Sequence, residues 1–499
     1  MGVALVLLFG IFVLFLIYLN GKYNEFYWNR RNIKFYPKNK VTGLFWDYVT
    51  KDKSFFENFR ELYREYRNDI AVGIGAFLTP ALYIVEPTNI QHVLSTDFNA
   101  FNHRGIDVNE RDKLADNILF MKGNRWKLMR HAMTPLFTAS KLKSMFYIID
   151  KSAADFIILL KNNPHLWESK TFDTISSFSS AAIGAAVFGI STHSIFDSPF
   201  LSMAQEALKS TVITDLKFAL ANISTSLFET LDIAIFKDHE KFFIHAIKQV
   251  IREREKENKK KHDFADLCIQ IQNAGTMIDK DTGLQLEPTD ELLAAQAFFF
   301  FIAGVEPTAS VIFSTLIELG QHPEYLERLH KEIDFTFNKN NNKLSYEIVS
   351  EMKFLDMVYS ESLRLHPPIG FLRRQCIQDS ILPVGNLKVE KGTRIFTPVY
   401  EIHHDEKYHP DPEMFYPERF SPENKHNISD ATYMPFGRGN RICAGMRYAT
   451  LQTKAGIIYL LRHFTVKAII KEGGIRYRKQ PVQVRLDNVD IKFIPRTNI

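Results

Sequence analysis

The chain has 499 residues, 45% of them hydrophobic, and its 62 basic and 57 acidic side chains leave a net charge of +5. So small a charge on so long a chain, with no aromatic-interleaved basic stripe, leaves nucleic acid out of the expected partners. Three cysteines, Cys268, Cys376 and Cys443, are too few for a disulfide framework and suit a reducing compartment.

From the N-terminus, Met1 to Leu19 contains no charged residue. At about 1.5 Å per residue it makes about 28 Å of helix, enough to cross a hydrocarbon core. No basic stretch precedes it and no small-x-small site stands before Asn20-Gly21-Lys22, which argues against a cleaved signal peptide. Lys22, Arg30, Arg31, Lys34, Lys38 and Lys40 follow, so the positive-inside rule keeps the remaining chain on the cytoplasmic side. The middle holds no Pro/Gly/Ser linker, repeat or low-complexity tract. The expected division is therefore residues 1–21 as a transmembrane anchor and 22–499 as one cytosol-facing domain.

Within that domain, short β-branched or alternating stretches occur at Ile70 to Gly75, Leu82 to Val85, Arg394 to Pro398 and Val482 to Phe493. Most of the rest has helical spacing. The polar stretch Arg252 to Asp263 reads as a solvated helix end and loop. The longest helix is expected from Thr289 to Leu319, capped by Thr289, with Asp290 and Glu291 in its first turn and Gly320 and Pro323 at its end. Glu361 and Arg364 stand at i and i+3 on a helix that stops at Pro367-Pro368, a spacing that alone marks only a solvated face. The fold class is mainly α with a minor β portion.

The most informative stretch is Phe436-Gly437-Arg438-Gly439-Asn440-Arg441-Ile442-Cys443-Ala444-Gly445. It presents one thiol in a glycine-bracketed loop ahead of a helical run, Met446 to Phe464, whose N-terminus favours a thiolate. A thiolate is a soft, electron-rich iron ligand. The glycines let the backbone approach a flat cofactor, Phe436 can shield the sulfur, and Arg441 can neutralise an acidic group. The bland alternative is a structural cysteine beside a turn.

In these residues the loop closely resembles the haem-ligand loop of the cytochrome P-450 family. The resemblance covers nearly the whole chain, and Leu363-Arg364-Leu365-His366-Pro367-Pro368 with His403-His404-Asp405 is most like the microsomal insect members that oxidise xenobiotics, plant toxins and endogenous lipids. It implies the P-450 fold carried on one N-terminal transmembrane helix, with haem b held by Cys443. Phe415-Tyr416-Pro417-Glu418-Arg419-Phe420 looks like the segment that adds Arg419 to Glu361 and Arg364 in a buried structural lock. Trp126, Arg130, Arg374 and Arg441 are similar to the donors that hold the haem propionates.

On the long helix, Phe301-Ile302-Ala303-Gly304-Val305-Glu306-Pro307-Thr308 resembles the oxygen groove. There Ala303 and Gly304 make room for dioxygen, and Glu306 with Thr308 relays protons. The chain departs from the family here. Pro307 takes the alcohol position, so a kink is expected and the carbonyl of Ala303 loses the N–H of residue 307. Substrate is expected against Phe298 to Phe301, the loop Asn102 to Asn117, and Ile369-Gly370-Phe371.

The implied reaction inserts one oxygen atom of O2 into a lipophilic substrate. Gly73-Ile74-Gly75 lacks the rest of a dinucleotide fingerprint, so electrons are expected from NADPH through a separate membrane-bound cytochrome reductase, with cytochrome b5 as a further partner. Lys127, Lys141, Lys143 and Arg438 are candidates for its docking. The implied location is the endoplasmic reticulum membrane. Two alternatives stay open: a same-fold enzyme that rearranges a peroxide substrate without a reductase, and a non-catalytic haem or hydrophobe binder.

Overall fold

The computed structural model describes residues 2–497 apart from 78, 107, 110, 169, 190–201, 204–205, 207–210, 224–229, 232 and 258–259. The principal helices are α1 (Gly2–Asn29), α2 (Gly123–Met133), α3 (Ala139–Asn162), α4 (Thr171–Phe188), α5 (Glu240–Glu257), α6 (Asp290–Gln321), α7 (Pro323–Lys339), α8 (Lys353–Leu365) and α9 (Met446–His463). Four strands, β1 (Ala71–Ile74), β2 (Ala81–Ile84), β3 (Phe371–Gln375) and β4 (Arg394–Pro398), form a sheet in the order β1-β2-β4-β3. The β2–β4 pair is parallel and the other two are antiparallel. Near the C-terminus, β5 (Phe464–Ile470) pairs antiparallel with β6 (Val489–Pro495). Each expected strand stretch carries one of these elements or, at Leu486–Asp487, a shorter one.

The centre of the fold is α6. Its Thr289 side chain accepts from the Leu292 N–H, as an N-cap should. It is long and apolar enough to cross a membrane, yet the body wraps it on nearly every side, which marks it as a core helix. The helix runs past the expected stop at Gly320. That glycine is small for another reason: a Cβ there would sit 2.5 Å from the Ala468 backbone nitrogen in β5. Termination waits for Pro323. Helical backbone continues across Pro307.

At the other end of the chain, α1 does not stop where its apolar run stops. Leu8, Phe9, Phe12 and Leu14 are exposed, but the helix continues through Gly21, and its last turns dock on the body. Asn24 donates to the Lys40 and Phe77 carbonyls at 2.9 and 3.2 Å. Trp28 is buried against Gly73, where a Cβ would lie 2.3 Å from the indole ring. Gly73 therefore serves packing.

The stretch Arg252 to Asp263, expected to be solvated, is only partly so. Residues 258 and 259 lie outside the described residues, but Arg254 is buried and pairs with Asp263 and Asp266, each at 2.8 Å. The charge run conceals a staple between the end of α5 and the helix Phe264–Ala274.

Candidate active site

Cys443 sits in a loop whose shape depends on glycine. Gly437 and Gly439 have φ of 75° and 68°, and a Cβ on Gly439 would lie 2.1 Å from the Leu94 carbonyl oxygen. The Cys443 N–H donates to the Phe436 carbonyl at 3.0 Å, which folds the loop back on itself just before α9. Cys443 is accessible, whereas Cys268 and Cys376 are buried, and burial pushes the Cys376 thiol up to about 12. Cys443 is also deep enough in the protein for burial to raise its thiol, opposed by the Gly445 N–H and then by Arg130 and Arg104. Accessible and desolvated together, the sulfur opens onto an internal space.

The far wall of that space is α6. Phe300, Ala303, Pro307 and Val311 fall within about 80° of one another around the helix. The two ends of this strip touch the cysteine loop. Phe300 stacks edge-on with Phe137 at 5.3 Å, and Phe137 also lies 3.7 Å from where a Gly445 Cβ would be. Val311 packs in one cluster with Tyr359, Leu363 and Phe436. Between these anchors Ala303 is exposed, and Gly304 and Pro307 are half-buried, while every other residue from 300 to 311 is buried. A slot is therefore held open between α6 and the thiol.

One side of the slot gathers guanidinium groups. Arg130 donates to the Ile442 carbonyl at 3.1 Å, Arg374 to Arg373 at 2.9 Å, and Arg441 to Asn102, Ile118 and Met121 at 2.9, 3.2 and 2.9 Å. A fourth, Arg104, donates to the Ile118, Leu119 and Arg441 carbonyls. The Arg441 guanidinium also stacks on Trp126, 3.9 Å from the ring centre. Burial, then mutual repulsion, lowers three of them: Arg104 to about 10, Arg374 to about 9 and Arg441 to about 8. No carboxylate pairs with any of the four among the described residues. Buried cations need anions, so the donor set fits a flat group with carboxylate arms. A family model described as cytochrome P450 matches residues 37–489.

The chain belongs to the cytochrome P450 family. It is 31% identical to "Probable cytochrome P450 6d4" of Drosophila melanogaster, covering 97% of this chain and 94% of the relative. "Cytochrome P450 6k1" of Blattella germanica is 32% identical over 93% and 91% of the two chains, and "Probable cytochrome P450 6a13" of Drosophila melanogaster 33% over 90% of each. As a P450, the chain is a haem b protein and a monooxygenase-class oxidoreductase.

Beneath the cysteine loop lies the expected lock. Arg364 donates to both Glu361 oxygens at 2.9 and 2.8 Å, Arg419 stands 3.3 Å from Glu361, and all three are buried. His403, marked in the sequence only as part of the His403-His404-Asp405 resemblance, joins the lock to the P450 loop. Its Nδ1 faces the Arg364 carbonyl at 3.1 Å, while Nε2 accepts from the Met434 N–H at 3.0 Å. Burial keeps this imidazole neutral, the form that accepts a hydrogen bond.

Several sequence expectations change in detail. Gly304 turns its missing side chain toward α4, where a Cβ would lie 2.9 Å from Ile183 Cγ1, so its smallness lets two helices cross closely. Glu306 and Thr308 flank Pro307, about 200° apart around the helix, and both are buried. Phe298 and Phe301 are core residues, packed on Phe243 at 4.8 and 6.1 Å. Phe371 belongs to a different core, against Phe55 and Phe59 at 5.2 and 5.1 Å. Its neighbour Leu372, unremarked in the sequence, instead approaches the cysteine loop 3.7 Å from where a Gly437 Cβ would be. Strand alternation could have indicated that, since residues 371 and 372 must face opposite ways. In the loop from Asn102 to Asn117, residues 107 and 110 lie outside the described residues. Arg104, within the loop expected to face substrate, instead joins the cationic group. Of the basic residues proposed for docking, Lys127 pairs with Asp279 and Asp281, Lys143 with Glu347 and Arg438 with Asp430.

Proposed function

We propose that Cys443 is the proximal ligand of the haem iron and that the chain is a microsomal monooxygenase of lipophilic xenobiotics, plant toxins or endogenous lipids. The reading rests above all on the slot between the accessible thiol and the open strip of α6. In it, Arg104, Arg130, Arg374 and Arg441 would neutralise the two propionates, with the Trp126 indole as an uncharged donor, while Phe436 and Ala303 would lie beside the ring and Gly304 would let α6 pack closely behind it. When bound, the haem supplies the activation of O2 and the insertion of one of its atoms into a C–H or C=C bond. The chain's part is to hold the sulfur as thiolate, for which Arg130, Arg104 and the Gly445 N–H provide the favourable charge.

Glu306 and Thr308 are the proton-handling residues in this reading. Burial raises the Glu306 carboxyl, which suits a group that must hold a proton before passing it on. Pro307 denies the Ala303 carbonyl its helical partner, and a water there can link the acid on one flank to the hydroxyl on the other. Electrons come from NADPH through a membrane-bound cytochrome reductase, with cytochrome b5 as a second donor. Residues 1–21 anchor the protein in the endoplasmic reticulum membrane, supported by the exposed apolar side chains of α1, and residues 22–499 face the cytosol.

Cys443→Ser should abolish the far-red-shifted Soret band of the reduced, CO-bound protein, whereas Cys376→Ser and Cys268→Ser should keep it. Retention of that band in Cys443→Ser would overturn the ligand assignment. NADPH consumption with added reductase distinguishes a monooxygenase from both the reductase-independent rearranging enzyme and a passive binder.

A further inference from the structure

Glu306 does not face the open strip of α6. It turns to the flank covered by the C-terminal chain, where the Gln483 amide, oriented with its nitrogen toward the acid, donates to both carboxylate oxygens at 3.1 Å. Arg485 Nη1 stands 3.6 Å from the same carboxylate. Arg485 also has a second acid, with Nη2 3.8 Å from Asp173 in the first turn of α4. Between the two, the guanidinium lies over the Phe172 ring, 3.5 Å from its centre.

Accessibility grades along this line. The Asp173 side chain is 59% accessible, that of Arg485 14% and that of Glu306 10%. An exposed carboxylate, a stacked guanidinium and a buried carboxylate thus lead from solvent to the flank of the oxygen groove. Both Arg485 contacts exceed hydrogen-bond length. Arg254 is likewise shared between two acids, but its contacts to Asp263 and Asp266 are all 2.8 Å, so it is held where Arg485 is not. The aromatic face beneath Arg485 lets it slide without losing its support. Gln483 is also bridged to Ile369, which ties this segment to the turn after Pro367-Pro368.

We propose that Arg485 is a positioning residue that governs proton supply to Glu306 by moving between Glu306 and Asp173. When the guanidinium pairs with Asp173, Glu306 is released to water reaching it along Gln483 and Arg485. For each proton that Glu306 gives to the groove, its carboxylate takes one that enters from solvent and is relayed through that water, which is left neutral. Arg485 gives none, because guanidinium stays protonated throughout. The inference rests on the monooxygenase reading above and adds the route by which Glu306 is recharged.

The test uses the full chain with haem and reductase in phospholipid vesicles, with 7-ethoxycoumarin as probe. Product and peroxide per NADPH and the solvent isotope effect on product formation are measured for wild type, Arg485→Met, Arg485→Lys, Asp173→Asn, Glu306→Gln and the double variant Arg485→Met/Glu306→Gln. Arg485→Met should lower product per NADPH about threefold or more and raise the isotope effect, while the spectral binding constant of the probe stays within about twofold. Asp173→Asn should move the ratio in the same direction by less. The double variant should be no worse than Glu306→Gln, because both act on one route. An unchanged ratio in Arg485→Met, or multiplied losses in the double variant, overturns the proposal. Should Arg485→Met not yield folded haem protein, unchanged ratios in both Asp173→Asn and Arg485→Lys overturn it equally. Failure of the wild type to consume NADPH with reductase would instead sink the monooxygenase reading, and this inference with it.

Discussion

Two groups of buried arginines lie on either side of the cysteine loop, and they are built in opposite ways. In the lock, Arg364 and Arg419 share the Glu361 carboxylate, and their remaining donors go to the carbonyls of His403, Pro410, Pro412 and Met414. In the cradle, the hydrogen bonds of Arg104, Arg130, Arg374 and Arg441 go to carbonyls among the described residues, and burial with mutual repulsion drives three of them well below their ordinary range. A network whose charges cancel within the protein can serve the fold by itself. One whose charges do not cancel must be completed from outside, and the excess of cations calls for an anionic partner, as the carboxylate arms of a haem are. Burial alone would not have told the two apart.

The lock should show the larger effect. Glu361→Gln leaves two guanidiniums without their carboxylate and is expected to cost about 3–5 kcal/mol, measured by thermal unfolding and by the yield of haem-loaded protein. Wild-type stability in that variant would remove the distinction between the two groups. In the cradle the sign should divide. Arg374 has one carbonyl partner and a buried Nε with none, so Arg374→Met should speed haem transfer to a scavenger protein about tenfold. In the haem-free protein, the same substitution should hold or raise the unfolding midpoint, by up to about 1 kcal/mol in stability, because it removes an uncompensated charge. Loss of stability in both forms would mean that Arg374 belongs with the lock.

Glu401 is the mirror of the cradle, a buried acid whose oxygens have no hydrogen-bond partner outside their own residue among the described residues, and burial, opposed weakly by Arg60, pushes its carboxyl from 4.5 up to about 8. The folded protein therefore retains a proton that the unfolded chain loses between those values. Stability should fall as pH rises from 4.5 to about 8, by up to about 1.4 kcal/mol per pH unit. Glu401→Gln should remove that slope, which denaturant titrations across the window would reveal.

The smallest effect is expected on the other wall of the slot. Pro307→Thr restores a hydroxyl on the open strip and should raise product per NADPH about twofold, with peroxide falling in step, whereas Thr308→Ala should lower it in the wild-type background. An unchanged ratio in Thr308→Ala would take that hydroxyl out of proton delivery.

The cysteine loop, the pairing of Glu361 with Arg364 and the limits of α6 were legible from the sequence because each is local. Ten consecutive residues present the thiol, Glu361 and Arg364 need only one helical turn, and Thr289 and Pro323 act on the backbone beside them. The faces were less legible. A run such as Phe298 to Phe301 points every way around a helix, and only packing against Phe243 shows that Phe298 and Phe301 are core. The long-range contacts themselves left no mark at all: Arg104 reaching Arg441, His403 reaching Met434, and Arg485 standing between α4 and α6. Residue chemistry and backbone preference are written along the chain and can be read there. Which buried charge finds a partner, and which is left for a cofactor, is decided only when distant segments close around the same volume.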